Sequence, residues 1–179
     1  MTVDCPFDCE YLVEARKHER SAPLDPETIP NRDIAITEDL LAENEGLVLF
    51  LSVSLTQATG SVPELTDADA REALDAAIRT YRTRESGLYY ETVPENPLAA
   101  RLARTLLESV EEFHALEKEE LGMSHTKDSS ILAVLVFLQH FALDRNNGRR
   151  KGRAFLHALR EIQPSGSEGD SAGNSVVLA

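Results

Sequence analysis

Two cysteines four positions apart, Cys5 and Cys9, with His18 beyond them, are the first residues in this chain whose types could do chemistry. On one helical turn the two thiols would share a face and supply half of a tetrahedral zinc site, His18 being the nearest further ligand. The two-residue spacing and second cysteine pair typical of such sites are absent. Asp4, Asp8, Glu10 and Glu14 also surround the pair, and a negative field raises a thiol pKa, which disfavours a reactive nucleophile. The default is an ordinary pair; a metal-binding or redox protein using Cys5, Cys9 and a histidine is the alternative reading, with zinc as its cofactor.

His140 stands in the middle of an apolar run, with Asp144 one turn later. A histidine beside a carboxylate can move a proton, so an enzyme centred on His140 and Asp144 is a lower alternative. A single partnered histidine is more often structural, and no serine or cysteine nucleophile can be assigned to it. Glu111 and His114 form a Glu-x-x-His step, which two-metal helical bundles carry twice. Here it occurs once, so His114, with Glu117, Lys118, Glu119 and Glu120 nearby, reads as a solvated helix face.

Between 145 and 160 stand Arg145, Arg149, Arg150, Lys151, Arg153 and Arg160 with no acid among them. Most of these flank an expected helix start, where cations are electrostatically misplaced and backbone N–H groups favour anions. The segment reads as a contact for an anionic partner, Arg145, Arg149, Arg150, Lys151 and Arg153 carrying it; the competing reading pairs these charges with the chain's own acidic helices. A second surface candidate joins Arg82 and Arg84 to Tyr89 and Tyr90, since Tyr and Arg are favoured in binding hot spots. Phosphate-cradling glycine loops are missing.

The elements that must position these residues are helices. The chain has 179 residues, 42% hydrophobic and 6% aromatic, with no Trp, a composition suited to an aliphatic helical core. A net charge of -13 argues against a general nucleic-acid binder, so a protein or small anion is the expected partner. With two cysteines and no signal-like opening, a cytoplasmic location is expected. The longest apolar run, about thirteen residues from Ile131 to Leu143, is short of the ~20 that span a bilayer, so no membrane association is expected.

Asp8 caps an expected short helix over Glu10 to Arg20, and three prolines then mark an irregular connector. Thr37 opens an expected helix to about Ala58, read as a central helix buried nearly all round. Thr66 opens the next, with Ala70, Ala73, Leu74, Ala77, Ile78 and Tyr81 on one face, and Gly87 ends it. Residues 88–93 are bounded by Gly87 and Pro94 and read as an extended connector. Pro97 starts a long amphipathic helix closed by Gly122. Ser129 to Leu143 is the second buried helix, and Lys151 to Ile162 the last. After Pro164 the Ser/Gly-rich tail has too little apolar area to order itself. The expected architecture is all-α: a compact bundle of five main helices plus a short N-terminal helix, two central helices largely buried. Residues 1–36 form the N-terminal helix and connector, 37–163 the helical domain and 164–179 a disordered tail. The leading functional reading is a non-enzymatic helical interaction or regulatory module rather than an enzyme.

Overall fold

The chain's computed structural model describes residues 27–149 and 151–162. The expected N-terminal helix, with Cys5, Cys9 and His18, the tail beyond 162, and Arg150 lie outside the described residues. Within them the protein is all-α, six packed helices with no strand: α1 (Glu38–Glu43), α2 (Glu45–Ser61), α3 (Asp67–Glu85), α4 (Pro97–Leu121), α5 (Asp128–Asp144) and α6 (Ala154–Ile162).

The single helix expected from Thr37 is two. Thr37 Oγ1 accepts from Leu40 N at 3.1 Å and starts α1. Asn44 then leaves helical geometry (φ -113°, ψ 23°), and its side-chain amide donates back to the Leu40 carbonyl at 2.8 Å. An Asn side chain that competes for backbone groups is what breaks the run. The second half, α2, is also less enclosed than its composition suggests. Leu47, Leu51, Leu55 and Thr59, with Ser52, form its buried stripe, while Val48, Phe50 and Val53 are half-buried. The hydroxyls of Ser52, Ser54 and Thr56 donate to carbonyls one turn back, as hydroxyls inside helices commonly do.

Burial nearly all round belongs instead to α5, where Ile131 to Val136, Leu138, Gln139 and Ala142 are all buried. It packs chiefly on α3, which also packs on α4; α2 lies on α4 and α6. Phe50 meets Phe113 edge-on at 5.6 Å across the α2–α4 seam, and Phe141 meets Phe155 at 5.8 Å across α5 and α6.

Strong local signals set the start of α3 and the end of α4. Thr66 and Asp69 make a reciprocal capping box, and Gly122 closes α4 at φ +78°, a left-handed position that suits glycine. α6 starts at Ala154 rather than Lys151. The 87–96 connector decides the topology. Thr92 N donates to Thr80 Oγ1 at 3.0 Å, and Asn96 Nδ2 donates to Asp69 Oδ1 at 2.6 Å. The chain therefore returns along the full length of α3 before α4 begins, so α3 and α4 run side by side in the same direction.

Candidate interaction surface

The four residues of the second surface candidate divide in two. Arg82 and Arg84 both serve the protein itself. Arg82 Nη1 and Nη2 donate to Asp33 Oδ2 and Oδ1 at 2.8 and 2.7 Å, and its Nε and Nη2 reach Asn31 Oδ1 at 3.1 and 2.9 Å. This planar fork matches carboxylate geometry. Hydrogen bonding to Arg82 holds the Asp33 carboxyl below its ordinary range and raises the guanidinium in return. Arg84 lies over the Tyr81 ring, 4.9 Å from its centroid. Tyr81 is buried, and that burial pushes its phenol up to about 12, against the pull of the Arg84 charge.

Tyr89 and Tyr90 point the other way. With Leu88 and Val93 they form a run of large side chains that are 89%, 69%, 63% and 63% exposed, in that order. The run is nonetheless held in place. Gly87, at φ +77°, turns the chain out of α3. Leu88 N then donates to the Thr83 carbonyl at 2.9 Å and Thr92 N to Thr80 Oγ1 at 3.0 Å, while the Tyr90 carbonyl lies 3.0 Å from Thr83 Oγ1, whose single proton also has the Thr80 carbonyl at 2.7 Å. The polypeptide is fixed to α3 while its apolar side chains face water.

Arg82 also ties down the described part of the N-terminal connector. Asn31, in left-handed geometry at φ 57°, donates to Gln139 Oε1 on α5 at 2.7 Å. His140 Nε2 lies 2.7 Å from the Pro30 carbonyl. A carbonyl only accepts, so Nε2 carries the proton and His140 holds the strap. Asp144 turns to Arg145 instead, 3.6 Å away. The structure thus does not assemble the His140–Asp144 pair as a proton-transfer couple.

The basic segment is reached through α6. The first N–H groups of that helix already have an anion: Asp67, the first residue of α3, accepts from Phe155 N at 3.2 Å and from Leu156 N at 3.1 Å. The chain reinforces this crossing with Asp67 N donating to the Gly152 carbonyl at 2.8 Å. Around it Arg145 lies over the Phe141 ring at 5.1 Å, Arg149 and Lys151 are exposed, and Arg153 is half-buried. The carboxylate at this helix end comes from a residue eighty-eight positions from the Phe155 N–H that donates to it, a pairing no local pattern announces.

Glu117 departs from the solvated face expected around His114. It accepts from Ser124 Oγ, Thr126 N and Thr126 Oγ1 at 2.9, 3.2 and 2.7 Å. Partial burial works to raise its carboxyl, but these bonds outweigh it and leave the group below its ordinary range. His114 itself is half-buried, its Nε2 enclosed without a hydrogen-bond partner among the described residues.

Sequence reasoning missed one cavity, a trough of about 330 Å³ between α2 and α4. Small residues at helical spacing, Ser54, Ala58 and Ser61 facing Thr105 and Ser109, leave it unfilled. The signal was legible in that spacing. Among the described residues no group of three or more His, Cys, Asp or Glu is placed to hold a metal ion, and no helix is long and apolar enough to cross a membrane. Comparison with protein-family models, with curated proteins and with solved structures finds no match to this chain.

Proposed function

We propose that the protein is a non-enzymatic interaction module whose contact face is the connector carrying Leu88, Tyr89, Tyr90 and Val93. The observation that supports this is a backbone held to α3 by hydrogen bonds from Leu88 N and Thr92 N to Thr83 and Thr80, while the four large side chains it carries are exposed. Scattered exposed apolar residues need no explanation, but a contiguous set held in one place marks a contact surface. Tyrosines suit that task, offering large area with little rotamer entropy to lose. The basic segment is the weaker face for an anionic partner, because Asp67 already fills the adjoining helix end.

The test is a double variant, Tyr89→Ser with Tyr90→Ser. Neither ring is buried, so melting should change little, while a partner that co-purifies with the native chain should be lost. Retention of every co-purifying protein by a folded double variant overturns the proposal.

A further inference from the structure

We infer that Asn147 is a modification site, at which the folded protein converts an asparagine to aspartate or isoaspartate with water as the co-reactant and so places a carboxylate in its basic segment. The inference is independent of the preceding reading and concerns the turn before α6.

The step is intramolecular. The Gly148 main-chain nitrogen gives its proton to solvent base and attacks Asn147 Cγ. The N–Cγ bond forms, the Cγ–Nδ2 bond breaks, and Nδ2 leaves as ammonia with a proton from water. Water then opens the cyclic imide at either carbonyl, giving aspartate or isoaspartate. No electrons are transferred. Asparagine is a thermolabile residue, and a side chain on the residue after it crowds the attacking nitrogen.

The fold places the needed groups together at Asn147. Gly148 is exposed and stands at φ +70°, so the turn itself calls for a residue without Cβ there and leaves the nitrogen open to water. Asn147 Oδ1, the atom on which negative charge develops during the attack, already accepts the Arg149 N–H at 3.1 Å. A donor preset at that oxygen is the arrangement that stabilises an oxyanion. The same oxygen packs so closely on Gly152 that a Cβ there would lie 2.6 Å from it, which fixes the side chain. The product carboxylate falls among Arg145, Arg149, Lys151 and Arg153, cations that favour a negative charge.

The other described asparagines lack this combination. Asn96 precedes Pro97, whose nitrogen has no proton to give. Asn31 and Asn44 precede Arg32 and Glu45, and their Nδ2 atoms, the leaving groups, are held by Gln139 Oε1 at 2.7 Å and the Leu40 carbonyl at 2.8 Å. Asn146 precedes Asn147, and its Oδ1 accepts the Gly148 N–H at 3.1 Å. That bond holds the proton of the attacking nitrogen until base removes it, so conversion at Asn147 depends on base.

The full chain is incubated folded, and in parallel in urea, at neutral and mildly alkaline pH, and each asparagine is followed by peptide mapping with mass spectrometry. In the folded chain Asn147 should convert before Asn31, Asn44, Asn96 and Asn146, faster at the higher pH, to a mixture of aspartate and isoaspartate. Asn147→Asp reproduces the aspartate product; its melting temperature should be no lower than that of the native chain, and any gain should fade as salt screens it. Conversion at Asn147 in urea but not in the folded chain over the same period overturns the inference. Earlier conversion of another described asparagine does so too, and a lowered melting temperature for Asn147→Asp refutes the basic segment as a place that takes the carboxylate.

Discussion

Asp67 and Leu156 are 89 positions apart, and the carboxylate of the first accepts the backbone N–H of the second at 3.1 Å inside the protein. One residue thereby begins α3 and caps α6. The bond ties the last described helix to the start of the third, and it sets the first test.

Burial pushes the Asp67 carboxyl above its ordinary range, although the Leu156 and Phe155 amides and the Arg71 charge pull it down. Both oxygens already accept, so Asp67→Asn would set an amide N–H₂ against a helix N–H. That should cost about 1–3 kcal/mol at pH 7. The pH dependence has a definite sign. A carboxyl whose folded value exceeds its unfolded one is held more tightly by its proton in the fold. Its charge therefore costs stability above the folded value, and that cost is relieved as pH falls through it. Denaturation of native chain and variant between pH 7 and 4 should show the native chain gaining relative to the variant, and a constant difference would refute the assignment.

The Thr66–Asp69 capping box predicts two graded losses. Thr66→Ala should cost about 1 kcal/mol, the scale of a lost N-cap. Asp69→Ala should cost more, because it also strands Asn96, whose Nδ2 lies 2.6 Å from the carboxylate. Partial burial works to raise Asp69, but hydrogen bonds from Thr66 and Asn96 hold it below its ordinary range. Its contribution is then present above the unfolded value and fades as pH falls through the folded one. Equal losses in the two variants by urea denaturation would contradict this order.

Arg82→Lys should loosen the strap around Asn31 and Asp33 with little change in global melting. Lysine keeps the charge but cannot reproduce the fork that grips both residues. Amides in the region 31–36 should exchange faster, and native-state proteolysis there should quicken. Asp33 is held low by Arg82, so the native strap should loosen in the same way as pH falls through that depressed value. A variant with unchanged exchange in this region would show that His140 and Gln139 hold the strap alone.

Gly122→Ala should destabilise the protein by about 1 kcal/mol. The cost comes from backbone strain at φ +78° and not from crowding, since no atom lies within 4 Å of the added methyl. Asn at the same position should restore part of the loss, because it tolerates left-handed geometry better. Thermal melts of the two variants that rank Ala above Asn would exclude this account.

Helix content was legible in the sequence because its causes are local. Thr66 with Asp69, Pro97, Gly87 and Gly122 mark boundaries through bonds and torsions spanning at most four residues. That residues 88–93 form a connector between helices was legible as well, from Gly87 before it and Pro94 after it, and its tyrosines were candidates by type alone. Tertiary structure decided the rest. The break at Asn44 required one side chain to choose the Leu40 carbonyl over solvent. Whether Tyr89 covered the core or faced water depended on how α3 and the connector meet, and the same packing turned Arg82 and Arg84 inward. Most of all, the anion at the start of α6 was Asp67, a choice invisible to any local pattern because burial and distance in the fold, not spacing in the chain, set which carboxylate reaches those amides.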